Sequence, residues 1–200
     1  MLLLSDLWQF LPSPSSYEFA FQYKDYYHRN DPTTGKPFKF ASIVGLKYYC
    51  DKHNPLSIHI KQNDFLIFDI DKDPEKICPH HPTETRMVCN VCWENEIRPQ
   101  LLDLLAFLTD LMDFKQVHVF DSGRRGVHVW ARITEKWDKV ARLNLFNQLE
   151  RRKIHVDKGP LLDPNHLIKV PFMPHAVTGY LALKIEDPKS YVPSMRVKKK

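Results

Sequence analysis

A short polar turn between two apolar runs constrains the fold of this chain more than any other part of its sequence. The runs QVHVF (116–120) and GVHVWAR (126–132) have the β-branched and aromatic composition of strands. They predict a β-hairpin, but its turn carries Arg124 and Arg125 side by side, which an ordinary hairpin does not need. Two like charges in a tight turn repel unless an anion lies between them. The turn is therefore either an anion-binding loop or a solvated basic tip.

The composition is that of a globular, soluble protein with room for a sizeable core. The chain has 200 residues, 43% of them hydrophobic and 26% charged, so we expect a single domain over residues 1–200 with an insertion at about 72–98. The formal charge of +5 is compatible with a polyanionic partner. The N-terminal MLLLSDLWQFL lacks the basic start and cleavage site of a secretory signal, and no run reaches the length of a membrane span. These features favour an intracellular protein.

Strand and helix patterns alternate along the chain. FLIFDID (65–71) is an apolar run that ends in carboxylates, as expected of a buried strand. Apolar residues at helical spacing predict helices over about 99–113 and 135–153. The sequence from Ile154 onward predicts short strands separated by proline and glycine turns.

Asp69 and Asp71 are candidate ligands of a divalent cation. Residues i and i+2 of a strand point to the same face, so both carboxylates converge on one spot. Such a pair repels unless a cation lies between the two groups, and hard oxygen ligands suit Mg²⁺ or Mn²⁺. The alternative is a pair of solvated carboxylates at a strand end.

The segment CPHHPTETRMVCNVC (78–92) has the spacing of a zinc site. Cys89 and Cys92 form a knuckle, and Cys78 with one of His80 and His81 would complete a tetrahedron of ligands. Four protein ligands close the coordination shell, so the zinc would serve structure or nucleic-acid contact. The alternative is a redox-active or unused pair of cysteines.

The sequence SGRRGVH (122–128) offers donors for phosphate. Its glycines allow close backbone approach, arginine binds phosphate through two hydrogen bonds, and Ser122 and His128 add further donors. Later in the chain, Asp157 is a third candidate metal ligand. Lys169 and His175 are further candidate phosphate donors, whereas Asp163, next to Pro164, is interpreted as a helix or turn cap.

Together these stretches resemble the small catalytic subunit of the archaeo-eukaryotic DNA primases. The resemblance rests on IFDID, CPHH…CNVCW, SGRRGVHVW, Asp157 and NHLIKVPFMPHAVTG (165–179), with a weaker echo in YEFAFQYKDYYHR (17–29). It spans about residues 17–185. The chain departs from the family where a sizeable helical insertion normally separates SGRRGVH from the third aspartate, because only a short helix is predicted there.

The resemblance implies an α/β (α+β) fold, a primase-type catalytic core with a mixed central sheet, flanking helices and a zinc-knuckle insertion. It implies roles for the following residues: Asp69, Asp71 and Asp157 as ligands of two catalytic Mg²⁺ or Mn²⁺ ions, and Ser122, Arg124, Arg125, His128, Lys169 and His175 as nucleotide contacts. Structural Zn²⁺ would be held by Cys78, Cys89, Cys92 and one of His80 and His81.

The implied activity is that of a DNA primase, which joins nucleoside triphosphates into short primers on single-stranded DNA and releases pyrophosphate. The implied partners are template DNA, nucleoside triphosphates, a large primase subunit and a replicative polymerase, with no membrane. The location would be the nucleus in a eukaryote and the cytoplasm otherwise. Two alternatives stay open: a primase-polymerase of the same superfamily that extends primers, and a catalytically silent, zinc-bearing nucleic-acid binder.

Overall fold

The computed structural model describes residues 2–24, 26–61, 64–72, 87–111 and 114–198, with helices on both sides of two sheets. The strands are β1 (Phe19–Gln22), β2 (Tyr27–His28), β3 (Ser57–Lys61), β4 (Phe65–Asp71), β5 (Phe114–Asp121), β6 (Gly126–Ile133) and β7 (Leu167–Lys169). The helices are α1 (Leu2–Phe10), α2 (Ile43–His53), α3 (Asn90–Cys92), α4 (Arg98–Leu111), α5 (Lys139–Arg151) and α6 (Lys158–Leu162). A π-helical turn, Trp93–Ile97, joins α3 to α4.

The strands form two antiparallel sheets. The first has the order β2-β1-β3-β7 and the second has the order β4-β6-β5. The α+β class is confirmed, but the strands divide between two sheets where one mixed sheet was expected. The cause is local: β5 and β6 are joined by the short turn that the sequence predicts, and β4 pairs with the free side of β6.

The pleat of β4 divides the apolar core into two clusters. Leu66, Phe68 and Ile70 face a cluster that includes residues of α4 and α5. Phe65 and Ile67 face the opposite way, into a cluster shared with α1 and the first sheet. This alternation follows the two-residue period of a strand, and it leaves Asp69 and Asp71 at the end of the face that carries Phe65 and Ile67.

Several predicted elements need correction at their ends. The helix expected over 135–153 begins only at Lys139, because the carboxylate of Asp138 caps it by accepting from the backbone N–H of Ala141 at 2.7 Å. Beyond Ile154 the described residues hold one named strand, β7, together with α6 and isolated bridges, so the expected series of strands was wrong. Their backbone groups bond instead to loops and to neighbouring strands.

No helix in the part of the chain that the structure describes is both long and apolar enough to cross a bilayer.

Gly126 allows β4 and β6 to approach each other at the site described below. A Cβ atom at this position would lie 1.8 Å from the carbonyl oxygen of Ile70. We therefore expect Gly126→Ala to lower the free energy of unfolding by about 3 kcal/mol, at the upper end of overpacking costs. Urea denaturation measures this change.

Gly45→Ala is the matched control, since a Cβ on that helical glycine would meet the ring of Phe40 at an ordinary 3.6 Å. This variant should be neutral or stabilised by about 0.5–1 kcal/mol. Equal stabilities of the two variants would contradict the close approach of the strands.

Candidate active site

A polar pocket of about 300 Å³ opens where the ends of both sheets meet. The second sheet contributes the end of β4 and the start of β6, and the first sheet contributes β1, β2, β3 and β7. The lining includes eight of the residues expected from the sequence: Asp69, Asp71, Ser122, Arg124, Arg125, His128, Lys169 and His175. All six candidate nucleotide contacts thus lie around one cavity, together with two of the three candidate metal ligands.

The turn that carries the arginines is held by bonds to its own backbone. Ser122 Oγ accepts from the backbone N–H of Gly126 at 3.1 Å and from that of Arg124 at 3.3 Å. Gly123 has a φ of +77°, and a Cβ there would lie 2.7 Å from the carbonyl oxygen of Tyr180. The conformation and the close approach therefore both require glycine at position 123.

A buried ion pair supports this turn from behind. Asp121 and Arg196 are both almost fully buried, and Arg196 Nε donates to the two carboxylate oxygens of Asp121 at 3.0 and 2.9 Å. The hydroxyl of Tyr191 donates to the same carboxylate. Arg196 Nη1 also donates to the carbonyl oxygen of Arg124 at 3.1 Å. The C-terminal segment thereby fixes the backbone from which the Arg124 side chain projects.

The surroundings of Asp69 and Asp71, the two carboxylates of β4, disfavour their charged forms. Burial raises the pKa of Asp69 well above its usual range, and the negative charges of Asp71 and Asp157 raise it further. Burial also raises the pKa of Asp71, although the Arg125 guanidinium, 2.5 Å from its Oδ2, opposes the rise. Asp69 Oδ1 is buried without a hydrogen-bond partner. A buried carboxylate oxygen without a partner is suited to bind a divalent cation.

Asp157 approaches the pair through its backbone. Its N–H donates to the carbonyl oxygen of Asp69 at 2.9 Å, but its own carboxylate accepts from the backbone N–H of Gly159 at 2.9 Å and so caps α6. Across the described ranges, no group of three or more histidine, cysteine, aspartate or glutamate side chains is assembled to hold a metal ion. The cap uses Oδ1 of Asp157, and the negative charge of this carboxylate already raises the pKa values of Asp69 and Asp71.

The imidazoles around the pocket are neutral. Burial, and to a smaller extent the nearby Lys169 charge, lowers the pKa values of His128 and His175 to about 3. His128 Nε2 lies 3.6 Å from Asp69 Oδ1, but a neutral ring makes this a polar contact and not an ion pair. Lys169 is buried, and burial lowers its pKa to about 8 while Nζ donates to the carbonyl oxygen of Ser122 at 2.6 Å. The positive charges at neutral pH are therefore Arg124, Arg125 and Lys169.

Three further residues of the pocket were not identified from the sequence. Gln22, Tyr27 and His59 line it from β1, β2 and β3. His59 Nδ1 is buried without a hydrogen-bond partner, and its ring meets that of Tyr27 edge-on at 5.0 Å. The alternation of polar and apolar residues in SIHIK, which gives His59 the same polar face as Ser57 and Lys61, was the available signal.

The predicted zinc ligands are described only in part. Cys89 caps α3, and its Sγ accepts from the backbone N–H of Cys92 at 3.5 Å. Cys78, His80 and His81 lie outside the described residues. Asp163 has the predicted role of a turn cap, since its carboxylate accepts from the backbone N–H of Asn165 at 2.9 Å.

Comparisons with known proteins agree with this architecture. No protein-family model matches the chain. It is 38% identical over 95 residues to a DNA primase small subunit from Caenorhabditis elegans, a match that covers 42% of this chain and 22% of that protein. The chain thus spans about a fifth of the length of this curated relative.

Among solved structures, the chain resembles the polymerase domain from Mycobacterium tuberculosis Ligase D in complex with DNA. The TM-score is 0.60 at 11% sequence identity, and the match covers 95% of this chain and 82% of that chain. At this identity the likeness concerns the fold alone.

Because the pKa of Asp69 is raised in the folded protein, its negative charge is predicted to lower the free energy of unfolding. A carboxyl group whose folded pKa is raised stabilises the fold only when protonated, so this contribution is lost as the pH rises through the unfolded and then the folded pKa. We expect Asp69→Asn to raise the free energy of unfolding at pH 7 by on the order of 1 kcal/mol, because one unit of pKa shift is worth about 1.4 kcal/mol. Urea denaturation at pH 7 and at pH 4 measures the difference.

The gain should shrink at pH 4, where the wild-type carboxyl is already protonated. Asp103→Asn, on an exposed position of α4, is the matched control and should change stability little. A loss of stability in Asp69→Asn at pH 7 would contradict the charge repulsion.

Proposed function

We propose that this chain is a nucleotidyltransferase that joins nucleoside triphosphates into short primers on a single-stranded DNA template. The observation that carries the proposal is one pocket in which two strand-end carboxylates face three positive side chains. The identity with a primase small subunit and the fold shared with a polymerase domain support the same class of chemistry.

The cationic side of the pocket suits the triphosphate of an incoming nucleotide. Arg124 and Arg125 would each bind phosphate oxygens through paired hydrogen bonds, and Lys169 would contribute a third charge. Neutral His128 and His175 would donate ring N–H groups, and neither would repel the arginines. In the reaction the 3′-hydroxyl oxygen attacks the α-phosphorus, the bond to the bridging oxygen breaks, and pyrophosphate leaves.

Asp69, Asp71 and Asp157 are the residues proposed to hold two Mg²⁺ or Mn²⁺ ions. When bound, such ions neutralise phosphate charge and lower the pKa of the attacking hydroxyl. Asp69 and Asp71 fit this role, since one oxygen of Asp69 has no partner and Asp71 already binds a cationic group, Arg125. Arg125 would exchange this carboxylate for the phosphates of the nucleotide, so the pocket would stay neutralised in both states.

A primer-extending polymerase is the second candidate. It is favoured by the likeness to a polymerase domain in complex with DNA, and the same side chains would serve it. The two activities differ in one requirement, which is whether synthesis needs a pre-existing 3′-hydroxyl on the template.

The deciding experiment is incubation with unprimed single-stranded DNA, labelled nucleoside triphosphates and Mg²⁺ or Mn²⁺. We expect labelled oligomers on a denaturing gel and release of pyrophosphate. Products that appear only when an annealed primer is supplied would identify the extending enzyme. Nucleotide binding without any incorporation under either condition would refute the transferase.

Two substitutions tie the activity to the pocket. Asp71→Asn should abolish most incorporation while leaving the fold intact, and Arg124→Ala should raise the nucleotide KM or lower kcat with template affinity largely unchanged. Arg151→Ala, on an exposed turn of α5, is the control and should retain full activity.

We also propose one structural Zn²⁺ per chain, bound by Cys78, Cys89, Cys92 and one of His80 and His81. The Cys89–Cys92 turn fits a zinc knuckle, because the backbone N–H of Cys92 already points to the Cys89 sulfur. Metal analysis of protein purified without chelators should find about one zinc per chain, and Cys89→Ser should lower that content. A folded wild-type protein free of zinc would refute this site.

A further inference from the structure

A second polar cleft, of about 650 Å³, lies beside the active-site pocket on the same face of the first sheet. His59 lines the pocket and Lys61 lines the cleft, and these two residues share one face of β3, about 7 Å apart. Likewise, Gln22 at the end of β1 lines the pocket, and Glu18, just before β1, lines the cleft; the two residues are about 13 Å apart along the strand. The cleft therefore continues the surface on which the nucleotide pocket opens.

Positive charge exceeds negative charge in this cleft, because four lysine and arginine side chains line it and only two carboxylates do. Glu18 pairs with Lys61 at 2.5 Å, and Asp64 accepts from the hydroxyl of Tyr17 at 2.7 Å. Three cationic residues of the lining have no carboxylate within 4 Å among the described residues: Lys39, Lys136 and Arg142.

Arg142 is the strongest sign that the cleft receives an anion. Its side chain is only 3% exposed, and it donates to two backbone carbonyl oxygens, those of Trp137 at 3.2 Å and Leu161 at 2.9 Å. Carbonyl groups fix its position but do not neutralise its charge. The negative charge of Asp163 favours the charged guanidinium but forms no ion pair with it, and a bound anion would add a direct partner.

Trp137 gives the cleft an aromatic surface next to these charges. Its indole lines the cleft, is partly exposed and stacks on Phe114, with the ring centroids 5.9 Å apart. A positively charged groove combined with an aromatic side chain is the arrangement that binds single strands, since phosphates meet the cations and a base stacks on the ring.

We propose that this cleft binds the phosphodiester backbone of the same single DNA strand that serves the neighbouring pocket. The inference rests on the proposed function, because it takes the pocket as the place where the strand is copied. The separation of about 13 Å along β1 corresponds to about four nucleotides of a stacked strand, at an axial rise of about 3.4 Å per nucleotide, and to fewer nucleotides of an extended strand. A strand of more than roughly four nucleotides can therefore occupy both sites.

The test compares Lys39→Gln/Lys136→Gln with a charge-matched control, Lys52→Gln/Lys189→Gln. All four lysines are exposed, and only the first pair lines the cleft. Fluorescence anisotropy of labelled oligothymidylates of 2, 4, 8 and 12 nucleotides is measured over a range of salt concentrations. Binding of a fluorescent nucleoside triphosphate and of tripolyphosphate is measured on the same proteins.

We expect the cleft variant to bind the 8- and 12-nucleotide strands about tenfold more weakly than the control, and the 2-nucleotide strand equally well. Its salt slope, d log K/d log[salt], should fall in magnitude by about 1.4, since each phosphate contact of a single strand contributes about 0.7. Nucleoside triphosphate binding should be unchanged. Quenching of tryptophan fluorescence by long strands should be lost in Trp137→Phe.

Equal affinities and salt slopes of the two double variants would overturn the inference. So would a loss confined to tripolyphosphate, which would make the cleft a site for free phosphate compounds. If the wild-type chain incorporates no nucleotide but the cleft variant still binds the long strands more weakly than the control, the proposed function fails and the strand-binding cleft stands. If it incorporates nucleotides and the variants agree, only the cleft fails.

Discussion

The site depends on a turn, Ser122–Arg125, whose backbone carbonyls are all hydrogen-bonded to other parts of the chain. Their donors come from β7, from the loop after it, from the end of β4, from the residues before α3 and from the C-terminal segment: Lys169 Nζ, Thr178 Oγ1, the backbone N–H groups of Lys72 and Val88, and Arg196 Nη1. A turn with two adjacent cations repels itself and gains nothing from apolar burial. These bonds and the Asp121–Arg196 pair hold the turn in one conformation despite the repulsion between its two arginines. Removing one member of such a buried pair typically costs about 3–5 kcal/mol.

Charges in the pocket are largely balanced by contacts among its own residues. Arg125 pairs with Asp71, Lys169 is buried close to the carbonyl of Ser122, and the histidines stay neutral because burial lowers their pKa values. Asp69 is the exception, since one of its oxygens has no partner. A ligand that brings phosphates and divalent cations together would satisfy both the arginines and the carboxylates.

Sequence alone predicted the elements whose patterns are local. The strand at 65–71 and the hairpin were found because apolar alternation and a glycine-rich turn are local signals, and the pairing of Asp69 with His128 follows from the antiparallel register. The six candidate nucleotide contacts were also identified, although their meeting in one pocket depends on the pairing of β3 with β7, which no local pattern shows. Residues such as His59 were missed for that reason. Asp157 was predicted by resemblance, and its helix-capping contact could not be foreseen because Asp at a helix start and Asp at a metal site look alike in sequence.

The two sites on the first sheet are lined by neighbouring residues of one short strand that differ in burial and charge. His59 and Lys61 occupy consecutive positions on the same face of β3, yet His59 is buried and neutral whereas Lys61 is charged and half-exposed. Both residues lie beside β7, His59 next to Lys169 and Lys61 next to Leu167 at the start of that strand. A neutral group between two cationic sites limits their mutual repulsion, because a third positive charge there would raise the cost of both. The strand therefore places one uncharged imidazole between the proposed triphosphate pocket and the proposed strand-binding cleft, an arrangement in which parts of one polyanion could occupy both.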